Sequence, residues 1–125
     1  MAKTYKIVLL GAESVGKTSL VNKFVKNQFQ NDYKSTIGAH LFSKTVNIRG
    51  EEVSFVIWDI GGQKRYDLIR NMYITGSSGA LFVFDLNQSN TLRRVQKTYA
   101  KDFQALAPVG SPCLLVGNKF DIAKE

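Results

Sequence analysis

A glycine-rich segment at residues 11–18, with the sequence GAESVGKT, has the residue types and spacing of a phosphate-binding loop. Glycines at both ends let the backbone wrap with its N–H groups pointing inward, which forms a nest for anionic oxygens. A stretch with helical spacing begins at Lys17, so the partial positive charge of a helix N-terminus would add to that nest. Lys17 would then reach the β and γ phosphates of a nucleotide, and the Thr18 hydroxyl would bind Mg²⁺. A chance glycine-rich turn is the alternative, which the strand before the segment and the helix after it disfavour.

Residues 58–63, with the sequence WDIGGQ, form a second candidate segment at the end of an apolar run. Asp59 is positioned to hold the metal ion through its hydration shell, and a glycine shortly after it would let a backbone N–H meet the γ-phosphate. Gln63 can both donate and accept hydrogen bonds, so it could orient a water for in-line attack. The Asp-x-x-Gly pattern is common and is usually a simple turn. The prediction therefore depends on its position directly after a strand.

The third candidate segment is residues 118–121, NKFD, which directly follow an apolar run. The Asp121 carboxylate can accept two hydrogen bonds, from the N1–H and the exocyclic amino group of guanine. Adenine has no such pair of donors on that edge, so Asp121 is predicted to select the base. On its own, an Asn-Lys pair in a loop is better interpreted as a solvated turn, and this prediction rests on the other two segments.

Strands that alternate with helices would position these segments. A strand over residues 5–10 precedes the first segment, and a hairpin with its turn at residues 49–51 precedes the second. The other predicted elements are helices over residues 17–26 and 91–106, a loop and helix over residues 61–74, a loop over residues 27–35, and strands over residues 41–49, 52–58, 80–84 and 113–116. This order predicts a mostly parallel sheet with helices on both faces, and such folds bind ligands at the carboxyl ends of their strands.

Composition and charge limit the number of domains and the kinds of binding partner that the chain can have. The 125 residues, 44% of them hydrophobic, suffice for one domain with one core and exclude two domains. The formal net charge is +7, but the basic side chains are spread over the chain with no run longer than a pair. This distribution favours a solvated basic surface over a specific nucleic-acid partner.

The single cysteine and the chain ends bear on the expected location. Cys113 lies in an apolar run and is predicted to be a buried small hydrophobe, since it has no partner for an internal disulfide. No apolar stretch is long enough for a signal peptide or a membrane span. Ala2 stands where myristoylation needs glycine, and the chain ends without a prenylatable cysteine. We expect a cytoplasmic protein with no membrane anchor in this chain.

In this order, the three segments resemble those of the Ras-like small GTPases, and the resemblance covers the entire chain. It implies an α/β fold of the P-loop NTPase type, with three α/β/α layers, a mostly parallel sheet and one antiparallel edge strand. It also implies GTP and GDP as ligands and Mg²⁺ as cofactor. The implied partners are an exchange factor, an activating protein that supplies an arginine, and effectors that bind the switch loops. Residues 32–38 and 115–119 look most like the Rab branch, whereas residues 61–63 are similar to the Arf type.

The resemblance further implies a role for each residue at a matching position. By this resemblance Phe29 packs on the guanine, and Thr36 closes on Mg²⁺ and the γ-phosphate in the GTP state. The implied catalytic residues are Gln63, Lys17 and Thr36, and the implied metal-binding residues are Thr18, Thr36 and Asp59. The implied nucleotide-binding residues are Glu13, Ser14, Val15, Gly16, Lys17, Thr18, Ser19, Phe29, Tyr33, Thr36, Gly62, Asn118, Lys119 and Asp121.

Two departures from the family pattern alter the expected behaviour. Glu13 stands where Ras has a glycine, and a carboxylate beside the γ-phosphate adds like-charge repulsion near the attacking water. Intrinsic hydrolysis is therefore expected to be slow. The chain also ends shortly after Asp121, without the family's last base-contacting loop, final strand, final helix and lipidated tail. We expect residues 1–125 to be a truncated GTPase domain of marginal stability that associates, recruits a complementing segment or depends on bound nucleotide.

Of the functions compatible with these features, a GTP-hydrolysing molecular switch is favoured. The alternative from another class is a pseudo-GTPase interaction module that binds nucleotide with negligible turnover, because of Glu13 or the missing end. The third candidate is an ATP-using P-loop enzyme, and no feature of the sequence after residues 11–18 favours it. Phosphate release from bound nucleotide separates the first two functions, and competition between GTP and ATP tests the third.

The substitution Asp121→Asn tests the predicted choice of base. The amide would present a donor where guanine needs an acceptor, so GTP should bind more weakly and xanthosine triphosphate should bind better. Competition between the two triphosphates for the wild-type and variant chains measures this preference. A variant that keeps the full GTP preference would show that another group selects the base.

Overall fold

The computed structural model describes residues 3–13, 15–26 and 34–119, in which a six-stranded sheet lies between helices. Its strands are β1 (Lys3–Leu10), β2 (Lys34–Thr36), β3 (Ala39–Ile48), β4 (Glu51–Ile60), β5 (Gly79–Asp85) and β6 (Cys113–Asn118). Its helices are α1 (Lys17–Lys26), α2 (Asp67–Ile74), α3 (Ser89–Arg94) and α4 (Ala100–Leu106), with a 3₁₀ turn (Lys64–Tyr66) before α2 and a π-turn (Val95–Tyr99) between α3 and α4. These bounds confirm the predicted alternation of strands and helices.

The strand order is β2-β3-β4-β1-β5-β6, and the sheet is mostly parallel. Strands β4, β1, β5 and β6 run parallel, and β3 is antiparallel to β4. The hairpin between β3 and β4 turns at Arg49 and Gly50, which have φ values of 52° and 81°. Positive φ at both central residues is what a two-residue type I′ hairpin turn requires. The short β2 pairs antiparallel with β3, in a region that the sequence pattern assigned mostly to a loop. Its three residues are too few to show an alternating pattern. The predicted α/β fold is confirmed.

Residues of β1 enter two separate cores. Val8 and Leu10 pack on one face of the sheet with residues that include Phe103 of α4. Leu9 packs on the other face with residues that include Val21 of α1. Because successive side chains of a strand point to opposite faces, a nearly continuous apolar run requires helices on both sides. The apolar run of β1 therefore leads to three layers.

Helices α3 and α4 and the π-turn between them form one continuous helical run after β5. Val95, Tyr99 and Phe103 are its buried apolar residues. The π-turn itself was not predicted, because the apolar spacing fits a regular α-helix equally well. Among the described residues, no helix combines the length and the apolar character that crossing a membrane requires.

Strand β6 is largely exposed, and the prediction that Cys113 is buried is wrong. Cys113 is exposed, and Leu114 and Leu115 beside it are 66% and 56% exposed. In the described part of the chain β6 pairs only with β5, and the helices leave it largely uncovered. An apolar run in a sequence cannot distinguish a covered strand from one at an open sheet edge, and this accounts for the error.

The substitution Phe103→Ala tests the core between the sheet and α4. Phe103 is buried, and its ring meets the edge of Phe82 at a centroid distance of 5.9 Å. Loss of this burial and the cavity left behind should lower the free energy of unfolding by about 3–5 kcal/mol. Gln104→Ala, at the exposed neighbouring position, is the matched control and should change it by less than about 0.5 kcal/mol. Urea unfolding measures both, and equal midpoints would refute this assignment of the core.

Candidate nucleotide-binding site

The described parts of the three candidate segments meet at the carboxyl edge of the parallel strands. Residues 11–18 follow β1, Asp59 lies near the end of β4, and Asn118 ends β6. The register aligns these ends, since Leu9 pairs with Asp59 and Asp85 pairs with Asn118. The first two segments line a cavity of about 490 Å³. The cavity is lined by Glu13, Lys17, Thr18, Thr36, Gly38, Ala39, His40, Asp59, Gly61, Gly62, Gln63 and Tyr66.

The loop over residues 11–18 is held by close contacts that leave no room for side chains at its glycines. A Cβ on Gly11 would lie 2.4 Å from a backbone carbonyl oxygen of β5, and a Cβ on Gly16 would lie 2.3 Å from Asn118 Nδ2. Gly16 also has a φ of 91°, in the left-handed region that favours glycine. The Asn118 side chain donates from Nδ2 to the Val15 carbonyl oxygen at 2.8 Å. This hydrogen bond ties the first segment to the third.

Lys17, in the first turn of α1, brings a buried positive charge to the cavity. The residue is only 8% exposed, and burial lowers the pKa of its ammonium group. The carboxylates of Asp59 and Glu13 oppose this lowering. The guanidinium groups of Arg94 and Arg70 reinforce it. An anion in contact with Lys17 would favour the charged form, because a desolvated cation gains most from a paired and hydrogen-bonded partner. Lys17 is therefore suited to binding phosphate.

Thr18 and Asp59 form the part of the cavity that suits a metal ion. The Thr18 hydroxyl donates to Asp59 Oδ2 at 2.6 Å, and Asp59 is buried. Thr36, at the end of β2, lines the same cavity. Within the described ranges, no three His, Cys, Asp or Glu side chains cluster as a metal-binding group. Mg²⁺ is usually held by one or two carboxylates together with waters and substrate phosphates, so these few oxygen donors fit it.

Gly62 brings the second segment into backbone contact with the first. It is buried, and a Cβ there would lie 2.5 Å from the Gly11 carbonyl oxygen and 3.0 Å from the Glu13 nitrogen. Gln63 follows it and lines the cavity. The Gln63 Oε1 atom is buried and accepts no hydrogen bond from the described part of the chain. A buried acceptor normally has a partner, so this oxygen is suited to a donor in the cavity, such as a water molecule.

Lys119 and Asp85 form an ion pair where β5 and β6 end. Lys119 Nζ lies 3.0 Å from Asp85 Oδ2, and Asp85 is buried. The backbone N–H of Asn87 and then Lys119 hold the pKa of Asp85 below its usual range. Asp85 was not a candidate from the sequence. A carboxylate directly after a buried strand, at the edge where ligands bind, is a signal that could have identified it.

The structure brings most of the predicted site residues together. Seven of them line the cavity: Glu13, Lys17, Thr18, Thr36, Asp59, Gly62 and Gln63. Val15, Gly16, Asn118 and Lys119 lie in or beside the loops that adjoin it. Ser19 is exposed on α1 and is not among the residues that line the cavity. Ser14, Phe29, Tyr33 and Asp121 lie outside the described residues.

Arg94 and Tyr99 contact the second segment and were missed as site residues. Arg94 Nη2 donates to the Gly62 carbonyl oxygen at 3.1 Å and to Tyr99 Oη at 2.9 Å. The sequence pattern predicted a helix over this segment and gave neither residue a role in the site. Residues five apart do not share a face of an α-helix, so the pattern contained no signal for this pair.

Comparison with known proteins agrees with this geometry. The family model described as "Ras family" matches residues 6–125. The chain is 42% identical over 121 residues to the GTP-binding protein ypt5 of Schizosaccharomyces pombe. The alignment covers 96% of this chain and 57% of that protein, so the chain spans little more than half the length of this curated relative.

The substitution Gly62→Ala tests the backbone contact between the first two segments. The Cβ of the new alanine would meet the backbone of residues 11–13, so the second segment must move away from the phosphate-binding loop. Affinity for a non-hydrolysable GTP analogue should fall by about tenfold, or about 1.4 kcal/mol, with a smaller effect on GDP. Gly61→Ala is the control, since the atoms nearest to its Cβ would belong to the side chains of Gln63 and Tyr66 and not to the backbone. Calorimetry on both variants checks this, and wild-type affinity in Gly62→Ala would contradict it.

Proposed function

Because this chain belongs to the Ras family of small GTPases and lies near its Rab branch, we propose that it is a molecular switch that binds GTP or GDP with Mg²⁺ and hydrolyses GTP. The observation that supports this most is that Lys17, Thr18 and Gln63 line one cavity, although they come from two separate segments. A phosphate-binding cation, a metal-binding hydroxyl and a water-orienting amide are the groups that phosphoryl transfer needs close together.

In this proposal the first segment binds the nucleotide phosphates. The backbone N–H groups around Val15 and Gly16 cradle them, and Lys17 pairs with the β and γ phosphates. The hydroxyls of Thr18 and Thr36 would hold Mg²⁺ directly, and Asp59 would hold it through a water. When bound, this ion neutralises negative charge on the β and γ phosphates. The short hydrogen bond from Thr18 to Asp59 already keeps these two oxygens together.

Hydrolysis would depend on Gln63, whose side chain lies in the cavity with an acceptor that has no partner among the described residues. That acceptor and the amide N–H₂ can together orient a water for in-line attack. Glu13 lines the same cavity, and its carboxylate would repel both the γ-phosphate and a developing hydroxide. We therefore propose a low intrinsic rate that an activating protein raises with an arginine.

The switch itself would be the pair of loops around Thr36 and Gly62, which the γ-phosphate orders and its loss releases. The surface beside them suits partners, since Leu68 on α2 is 85% exposed and Ile37 is also exposed. Tyr73 Oη donates to the Ile37 carbonyl oxygen at 2.7 Å, which links α2 to the turn after β2. We propose that an exchange factor and effectors bind this surface. The protein would act in the cytoplasm, in signal transduction or vesicle trafficking. Asp121 would select guanine as the base.

A pseudo-GTPase interaction module is the second candidate, and the location of Glu13 favours it. In that case the switch surface would respond to which nucleotide is bound, without turnover. The two candidates share the same binding site and differ only in what Gln63 and Glu13 do to the attacking water.

The substitution Gln63→Leu separates these two candidates. The leucine cannot orient a water, so single-turnover phosphate release should fall by about tenfold or more, or about 1.4 kcal/mol in the barrier. Affinity for GTP should stay near that of the wild type, because the proposed role of Gln63 exists only around the attacking water. Gln104→Leu, at an exposed position of α4, is the matched control. Equal phosphate release in wild type and Gln63→Leu, with and without an activating partner, would support the pseudo-GTPase.

A further inference from the structure

Arg94, Tyr99 and the carbonyl of Gly62 form a closed hydrogen-bonded triangle. Arg94 Nη2 donates to Tyr99 Oη at 2.9 Å and to the Gly62 carbonyl oxygen at 3.1 Å. Tyr99 Oη also donates to the Gly62 oxygen, at 3.4 Å. One backbone oxygen of the second segment is thus held from two sides by the helical run that follows β5.

The π-turn explains how these two side chains reach one atom. In an α-helix of 3.6 residues per turn, side chains five positions apart point about 140° away from each other. A π-turn closes its backbone hydrogen bonds between residues five apart, and Val95–Tyr99 has this form. Arg94 and Tyr99 are therefore neighbours on one face only because the helix widens between them. Such local widening is rare in proteins and is frequently found at functional sites.

Burial of Tyr99 keeps the proton on its hydroxyl. Tyr99 is fully buried, and burial raises the pKa of its hydroxyl, which therefore remains a donor. The guanidinium groups of Arg70 and Arg94 lie 5.0 and 5.5 Å from the centroid of the Tyr99 ring. A hydrogen bond from a charged donor is stronger than one between neutral groups, and more so when shielded from water.

Gly62 is the residue through which this triangle can act on the reaction. Its own backbone lies against residues 11–13, and the next residue is Gln63. The Gly62 carbonyl and the Gln63 N–H belong to one planar trans peptide and point in opposite directions. Holding the carbonyl toward the helix therefore sets the plane from which the Gln63 side chain departs into the cavity.

We propose that Arg94 and Tyr99, brought together by the π-turn, are positioning residues that hold the Gly62 carbonyl and thereby orient Gln63 for GTP hydrolysis. This inference rests on the proposed function, because it assigns these residues to the hydrolytic step. Neither residue touches the reacting atoms. Both act through one peptide group, so their loss should affect the rate of hydrolysis more than the binding of nucleotide.

The test uses Arg94→Met and Tyr99→Phe in the full chain, with Arg93→Met at the adjacent exposed position as the matched control. Arg94→Met keeps an unbranched, flexible apolar stem but removes the charged donors, and Tyr99→Phe keeps the buried ring but removes the hydroxyl. Single-turnover phosphate release should fall by about tenfold in Arg94→Met and by less in Tyr99→Phe. Dissociation constants for GDP and for a non-hydrolysable GTP analogue should stay within about twofold of wild type. Arg94→Lys, which keeps a charged donor, should recover part of the rate.

A second readout does not depend on hydrolysis. With GDP and Mg²⁺ bound, the Gly62 carbonyl carbon and the Gln63 amide should shift in NMR spectra of Arg94→Met and Tyr99→Phe, and should not shift in Arg93→Met. Wild-type shifts in both variants, or a rate that falls only in proportion to nucleotide affinity, would overturn the proposal. If the wild-type chain shows no turnover, the proposed function fails on that result, and the Gly62 and Gln63 signals alone then decide whether the triangle holds this peptide. If Arg94→Met does not fold, Tyr99→Phe provides both readouts.

Discussion

The site depends on the close approach of backbone to backbone at two glycines. Gly11 lies against a carbonyl oxygen of β5, and Gly62 lies against Gly11 in turn, at distances that no Cβ could occupy. These contacts stack the phosphate-binding loop between β5 and the loop after β4. Lys17 and Gln63, which follow these glycines in the chain, line the same cavity. The polar side chains supply the chemistry, and the two glycines allow the backbone contacts that set the distances between those side chains.

Charges of both signs lie around this stack. The carboxylates of Asp59 and Glu13 favour the charged form of the buried Lys17, and the guanidinium groups of Arg70 and Arg94 disfavour it. A buried charge is costly unless it is paired. Under the proposed function, ligand phosphates would add negative charge on the side of Lys17. The site is therefore best described as one electrostatic unit that an anionic ligand completes.

The sequence allowed the fold and most of the cavity to be predicted because their requirements are local. A phosphate-binding loop needs glycines, a lysine and a hydroxyl at fixed spacing, and buried parallel strands need nearly continuous apolar runs. The errors arose where the answer depends on neighbours in space. Cys113 is exposed because, among the described residues, β6 has no strand on its outer side, and three-residue β2 exists only through its pairing with β3. Arg94 and Tyr99 share a face because of a helix deformation that leaves no trace in apolar spacing.

The exposed edge strand has a consequence for ligand binding. Strand β6 carries Asn118, which holds the phosphate-binding loop, and it is followed by Lys119, which pairs with Asp85. Within the described residues it is hydrogen-bonded to the sheet along one side only, and edge elements of this kind open at a lower free energy than the whole domain. Each opening would release both contacts together. By thermodynamic linkage, a ligand that needs them closed must also slow hydrogen exchange along β6, so occupancy of the site and order at the sheet edge form one coupled equilibrium.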